Sequence, residues 1–329
     1  MERFKAFRLF SESGRTAGRV VEMALDELSS GEVVFRTACS SVNYKDALAG
    51  TGSGGKIVRK FPLVGGIDAA GTVVSSSDGR FKAGDAVICT SYEMGVGHDG
   101  GYAEYCRVPA DWVVPLPAGL TLHDAMAIGT AGYTAGLAIC LLEQNDMKPA
   151  NGKVLVNGAT GGVATLAIDM LAGLGYSVTA VTGKEREHEF LKRIGATEVL
   201  ARASIDLGTR PLEKASWAAA FDSVGAEQLA WLTRTMQQHG VIASFGNAGG
   251  IELRTTVLPF ILRGVRLIGV DSAYTPMPLR QRVWERLATD LKPRHLGEIA
   301  YEITLDELPG QFDRLLKGAG RGRAVVRIS

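Results

Sequence analysis

The chain has 329 residues, 46% of them hydrophobic and 22% charged, with a formal net charge of +1. That length holds two ordinary domains with sizeable cores. Near-neutral charge supplies no basic field for nucleic acid or an anionic membrane, so any anion site must be local.

The opening Met1–Phe10 stretch interleaves charged and apolar residues and lacks the apolar core of a signal peptide. Residues 1 to about 120 read as mostly β, with short apolar runs at Glu32–Arg36, Gly71–Ser75 and Ala86–Cys89 between Gly, Asp and Ser turns. Phe81–Asp85 and Gly100–Tyr105 are turns leading into strands, so this part is expected to be a compact, irregular barrel. Cys39, Cys89, Cys106 and Cys140 show no C-x-x-C spacing, which indicates neither a disulfide framework nor a zinc ribbon. A soluble cytoplasmic protein is expected.

Ala125–Leu142 carries no charge and is long enough to suggest a membrane span. Gly129, Thr130, Gly132, Thr134 and Gly136 interrupt it, so a buried loop and helix is the reading, with no membrane partner. From about 124 to 262 strands and helices alternate, as in a doubly wound α/β sheet. Strands are expected at Val154–Val156, Ser177–Val181, Glu198–Leu200, Ala218–Asp222 and Val241–Phe245, with Arg266–Val270 as one more. A helix containing Phe190, Leu191 and Ile194 ends at a Gly195-Ala196 cap. The tail from about 279 returns to mixed α/β and rejoins the first domain.

Lys153–Leu174 organises the rest. Val154–Val156 is an unbroken apolar run, as in a strand buried on both faces. Asn157–Gly162 turns the chain, and from Val163 apolar residues recur at helical spacing with one face expected to be buried. Strand, glycine turn and helix form a dinucleotide-binding unit, whose helix-start N–H groups face a pyrophosphate. The turn departs from G-x-G-x-x-G, with Ala159, Gly161 and Ala164 in the glycine positions.

The next strand leads into Thr182-Gly183-Lys184-Glu185-Arg186. An NAD site usually places a carboxylate there for the ribose 2′-hydroxyl, whereas a 2′-phosphate calls for hydroxyl and cationic donors. Thr182, Lys184 and Arg186 supply those donors, and Glu185 is expected to point away. NADPH is the expected cofactor.

Several segments resemble the zinc-free, quinone-oxidoreductase-like branch of the medium-chain dehydrogenase/reductase superfamily, within it the acrylyl-CoA reductase group. They are Ser41–Leu48, Gly66–Gly71, Ile128–Ala135, Gly158–Val163, Pro259–Gly264, Gly269–Ser272 and Gly322-Arg323. The resemblance implies a split GroES-like β-rich catalytic domain, 1–124 with 263–329, around a Rossmann domain at 125–262. It also implies a homodimer in which the Arg266–Val270 strands extend the two sheets. Zinc alcohol dehydrogenases of this superfamily carry Cys where Asn43 stands and His-Glu where Ile67-Asp68 stands, and Asn43 and Ile67 are poor zinc ligands. No metal site is expected.

By the same resemblance, Thr130, Thr160, Gly161, Gly162 and Val163 are expected to bind the cofactor, the last four at its pyrophosphate. Thr182, Gly183, Lys184, Arg186 and Arg202 would hold the adenosine phosphate. Phe245, Asn247, Ile261, Ser272 and Arg323 would surround the nicotinamide half, with Tyr44 and Asn43. Without a metal, the simplest chemistry is reduction of an activated double bond, such as that of acryloyl-CoA to propanoyl-CoA. Asn43, Tyr44, backbone N–H groups and the cofactor's ribose hydroxyl are candidate donors to the developing enolate oxygen. Tyr44, Tyr92 or water would supply the proton, and Asp68 either acts there or braces the loop. Lys56, Arg59 and Lys60 are candidates for the CoA phosphates, and Tyr92 for substrate contact. Two other readings stay open: an NADPH-dependent quinone or enone reductase, and a non-enzymatic NADPH-binding sensor.

Overall fold

The computed structural model describes residues 3–328 and divides them into two compact units. The first comprises residues up to Ala131 with Ala273–Ala288 and Leu296 onward; the second comprises Gly132–Ser272 and Thr289–His295. Boundaries expected at 124/125 and 262/263 thus move to 131/132 and 272/273, and residues 289–295 change sides. Local bonding accounts for each shift, as described below.

The first unit begins with a hairpin. β1 (Arg3–Glu12) and β2 (Arg15–Ala24) pair antiparallel through a two-residue turn in which Ser13 and Gly14 both have positive φ. That turn matches the natural twist of paired strands. β1 also pairs with β4 (Leu63–Val64). A larger sheet runs β15 (Ala300–Ile303), β16 (Arg323–Arg327), β3 (Val33–Ser41), β5 (Asp68–Ser76), β6 (Ala86–Thr90) and β8 (Val113–Pro115). β7 (Tyr105–Val108) pairs separately with β3. Within the tail, β15 and β16 thus belong to the sheet of the first unit, β16 pairing with β3. α1 (Tyr44–Thr51) follows β3, and α9 (Leu308–Leu316) carries Phe312 into a core with Phe4, Phe7, Leu9 and Tyr102. Phe312 meets Phe7 edge to face at 6.0 Å, a favourable aromatic geometry.

The second unit is a six-stranded, fully parallel sheet. Its strands are β9 (Val154–Val156), β10 (Val178–Thr182), β11 (Glu198–Ala201), β12 (Trp217–Asp222), β13 (Met236–Ser244) and β14 (Arg266–Gly269), in the order β11-β10-β9-β12-β13-β14. The connectivity reverses between β9 and β12, the point at which open α/β sheets bind ligands at their strand carboxyl ends. β14 belongs here because it pairs with β13, Val241 opposite Arg266, which carries the boundary past 263.

α2 (Leu122–Glu143) has a break at Gly129, with φ 50 and ψ −161. By length and composition it would cross a membrane, yet 89% of its apolar window is buried inside the protein. α3 (Gly162–Gly173) departs from the one-sided burial expected of it. Ala164 to Leu171 are all buried, because Asp169 on the expected polar side is covered by residues 289–295. Its carboxylate accepts the His295 backbone N–H at 2.8 Å and contacts His295 Nδ1 at 2.9 Å and Arg294 Nε at 3.5 Å.

Candidate active site

In the first unit the predicted residues Asn43, Asp68, Thr130 and Arg323 converge. Asp68 begins β5 and is fully buried. Its Oδ2 accepts from Ser41 Oγ at 2.6 Å, Asn43 Nδ2 at 2.7 Å and Thr130 N–H at 2.9 Å, and its Oδ1 from Thr130 Oγ1 at 2.5 Å. A buried carboxylate is tolerated when donors satisfy it in this way. Thr130 is thus tied to the first unit, which explains why the boundary moves to 131/132.

Arg323, at the start of β16, lies buried beside this group, its Nη2 3.8 Å from Asp68 Oδ2. It donates to the carbonyls of Ala127 (3.2 Å) and Val42 (2.9 Å), to Asn43 Oδ1 (3.0 Å) and to Ser41 Oγ (2.7 Å). Burial lowers its pKa, opposed by Asp68 and Asp46. The Asn43 amide is held at both ends, oxygen on Arg323 and nitrogen on Asp68, with Asp46 Oδ2 also 3.3 Å from that nitrogen. Its N–H hydrogens face carboxylates of its own unit. Gly129 completes the centre: a Cβ there would stand 2.5 Å from Arg323 Nη2 and 2.7 Å from both Asp68 Oδ2 and Ser41 Oγ.

Asp46 is a member that sequence reasoning missed. Its Oδ2 accepts Asn43 N–H at 2.8 Å and its Oδ1 accepts Ile67 N–H at 2.9 Å. Burial and the neighbouring Asp68 carboxylate push it up to about 7. The Asn43-x-x-Asp46 spacing at a helix start was the available signal, since a residue three positions into a helix reaches back to the cap N–H. Ile67, where a zinc ligand would stand, is buried and only its backbone takes part. Among the described residues, no group of three or more His, Cys, Asp or Glu side chains could hold a metal ion.

Tyr44 is 44% exposed at the start of α1, outside the core. Tyr92 lies in a loop where Ser91 and Tyr92 both have positive φ, a conformation disfavoured for residues with a side chain. Trp112 stacks on Tyr92 at 5.3 Å, the buried Arg280 guanidinium lies 4.4 Å from its ring centroid, and its N–H bonds Ala273 O. Ser91 Oγ reaches Thr130 Oγ1 at 2.9 Å, linking this loop to the Asp68 centre. The three cations do not share one partner. Lys60 donates to Ser29 Oγ at 2.7 Å, Arg59 pairs with Glu93 at 2.6 Å, and Lys56 is exposed.

In the second unit, Gly158 has φ 56, and a Cβ there would come within 2.3 Å of Ser223 Oγ, so only glycine fits. Gly161 caps α3 without a side-chain hydrogen bond. The N–H groups of Gly162, Val163 and Ala164 therefore point past the helix end with no acceptor one turn back. Thr160 is buried beside them. A second network missed from the sequence braces this edge. Asn157 Nδ2 donates to Asp222 Oδ1 at 2.6 Å, Asn157 Oδ1 accepts Ser223 N–H at 2.8 Å, and Ser244 Oγ donates to Asp222 Oδ2 at 3.1 Å. The carboxyl ends of β9, β12 and β13 are joined this way.

At the end of β10, Thr182 Oγ1 accepts Lys184 N–H at 3.1 Å. Parallel pairing sets Thr182 opposite Ala201, which brings Arg202 alongside: a Cβ on Gly183 would lie 3.1 Å from Arg202 Nη2. Burial lowers the Lys184 pKa, with Glu187 opposing the shift and Arg186 adding to it. Arg186 is exposed and pairs with Glu187 at 3.3 Å, while Glu185 is exposed. Phe245 N–H bonds Asp222 O at 3.0 Å just beyond β13, and Asn247 follows it. Ile261, by contrast, stands 69% exposed on α6 (Leu258–Arg263), and Ser272 Oγ accepts from Thr134 at 2.8 Å.

This chain is similar to the acrylyl-CoA reductase AcuI of Ruegeria pomeroyi, with 47% identity over 319 residues covering 97% of this chain and 96% of that protein. The chain belongs to the medium-chain dehydrogenase/reductase superfamily. Two models of that superfamily match it: the alcohol dehydrogenase GroES-like domain at residues 29–118 and the zinc-binding dehydrogenase domain at 162–289. YhfP of Bacillus subtilis (strain 168), named as a quinone oxidoreductase, is 48% identical over 99% of both chains. Its structure with NAD bound superposes with a TM-score of 0.97, covering 99% of this chain and 100% of that one. The yhdH oxidoreductase from Salmonella enterica in complex with NADP gives 0.96 at 46% identity, over 99% and 100%. As in other members of the superfamily, a GroES-like unit and a Rossmann-type unit make up the chain.

Proposed function

We propose that the chain is an NADPH-dependent reductase that converts an α,β-unsaturated acyl-CoA, acryloyl-CoA, to propanoyl-CoA without zinc. The observation that supports the cofactor is a pair of features at the strand ends of the second unit. An uncapped helix start faces one way, and Lys184 and Arg202 flank Thr182-Gly183 at the ends of β10 and β11. The first fits a pyrophosphate, and the second a phosphate on the ribose 2′-oxygen rather than a hydroxyl. The NADP complex of the Salmonella relative and the name of AcuI support the same reading.

NADPH, when bound, supplies a hydride to the β-carbon of the substrate. Thr160, Gly161, Gly162 and Val163 bind its pyrophosphate; Thr182, Gly183, Lys184, Arg186 and Arg202 bind its 2′-phosphate. Phe245, Asn247, Ile261 and Ser272 are assigned to its nicotinamide half. The enolate oxygen needs a preorganised donor. With both ends of the Asn43 amide held, the half-exposed Tyr44 hydroxyl fills that role, and Tyr44, Tyr92 or water returns the α-proton. Asp68 and Arg323 position Asn43 and Thr130. Lys56, Arg59 and Lys60 receive the CoA phosphates.

We place the protein in the cytoplasm, without nucleic-acid or membrane partners, as a homodimer. The dimer is supported by β14, an edge strand, beside exposed Val257, Ile261 and Leu262. A quinone or enone substrate is the second reading, favoured by the name of YhfP and by the partners already held by Arg59 and Lys60. The deciding experiment follows loss of NADPH absorbance with acryloyl-CoA and with a simple quinone, using NADH as control. Rapid turnover of acryloyl-CoA with NADPH is expected. Turnover of the quinone alone would sink the thioester assignment.

A further inference from the structure

Glu93 occupies an unusual place among the cations of the first unit. Its Oε2 takes Arg59 Nη1 at 2.6 Å, and its Oε1 accepts the Tyr274 hydroxyl. Gly97 makes room for the pair: a Cβ there would stand 2.5 Å from Glu93 Oε2. The loop is held independently of that side chain. The Glu93 carbonyl accepts N–H groups from Val96, Gly97 and His98, and Arg59 N–H bonds Val96 O at 2.8 Å. Burial would raise the Glu93 pKa, but the Tyr274 hydroxyl and Arg59 outweigh it and hold the carboxyl low, so it is ionised at neutral pH. The Arg59 side chain is 61% exposed, so solvent and ligand reach the guanidinium while the carboxylate occupies one edge of it. Ser91, two residues before Glu93, contacts Thr130 of the Asp68 centre, which places this pair close to the assigned chemistry.

We propose that Glu93 is a specificity-determining residue: it competes with the anionic groups of an acyl-CoA for Arg59 and Tyr274. This rests on the acyl-CoA reading above. The pair is part-exposed, its side chains 61% and 24% accessible, and a phosphate monoester carries more negative charge than one carboxylate, so a CoA phosphate displaces Glu93 from Arg59. Small uncharged enones need no such displacement. Glu93 thus sets the balance between CoA esters and small acceptors.

The test measures KM for acryloyl-CoA relative to methyl vinyl ketone, and inhibition of methyl vinyl ketone reduction by free coenzyme A. It compares the full-length enzyme, Glu93→Gln, Arg59→Ala and the double variant. Glu93→Gln is expected to lower the KM ratio and the coenzyme A inhibition constant by about two- to fivefold. Arg59→Ala is expected to raise both, and to abolish the gain from Glu93→Gln in the double variant, which a merely structural role would not do. Values unchanged or raised in Glu93→Gln, with Arg59→Ala still weakening CoA binding, overturn the role of Glu93 alone. No effect of Arg59→Ala and no inhibition by coenzyme A overturn the acyl-CoA reading and the Glu93 role together.

Discussion

Around Asp68, the side chains of Ser41, Asn43, Thr130 and Arg323 turn their polar atoms toward one another inside the first unit. At the start of α3 and the ends of β10 and β11 the second unit is more open. The start of α3 carries no side-chain cap, and beyond β10 and β11 the half-buried Lys184, which feels Glu187, and the exposed Arg202 flank Gly183. Bonds already made inside a unit give rigidity, whereas backbone N–H groups at a helix start without a side-chain cap attract an anion. Under the function proposed for the chain, the difference separates residues that shape a site from residues assigned to bind.

The sharpest way to break this comparison is to attack the saturated side. Arg323→Met leaves Asp68 buried without its cation, and Gly129→Ala drives a methyl group into Arg323 and Asp68. Each is expected to cost about 3–5 kcal/mol, seen as a fall of roughly 10 °C in Tm by calorimetry. A Tm within a degree or two of the parent would show the centre to be loosely packed. On the open side, Lys184→Ala and Arg202→Ala are expected to leave Tm nearly unmoved. They should raise KM for NADPH about 10- to 100-fold and leave that for NADH almost as it was. Equal losses with both cofactors would remove the 2′-phosphate assignment.

The smallest effect is one of pH. Asp46 titrates near 7 in the fold and near the ordinary carboxylate value when unfolded, so its native state holds the proton more tightly. Its contribution to stability is complete below about pH 4 and is lost as pH rises through about 7. Asp46→Asn should therefore flatten the decline in Tm between about pH 4 and pH 7, the span between the two titrations, relative to the parent. An identical slope in the two proteins would show Asp46 to be ionised throughout.

How far each region could be read from sequence follows from the same contrast. The second unit was legible because its signals are local: the Val154–Val156 run, the glycine turn and the cations after β10 lie within a few residues of one another. Its exceptions are non-local. The all-round burial of α3 depends on Asp169 meeting residues more than a hundred positions away, and spacing cannot show that. The Asp68 centre gathers Ser41, Asn43, Thr130 and Arg323 across as many as 282 positions, so its members were individually nameable only through resemblance. Asp46 sits in a capping pattern, Asn43-x-x-Asp46, that is legible in the sequence.

The strip at 289–295 has a genetic consequence. The dinucleotide-binding unit is not one uninterrupted stretch of coding sequence, because Asp169 takes its partners from a segment lying between two portions of the other unit. A crossover that exchanged only residues 132–272 with a relative would import a helix whose buried carboxylate must meet a foreign Arg294 and His295. Chimeras within the superfamily should therefore survive best when the donor supplies both stretches, or when the recipient already carries a histidine at 295.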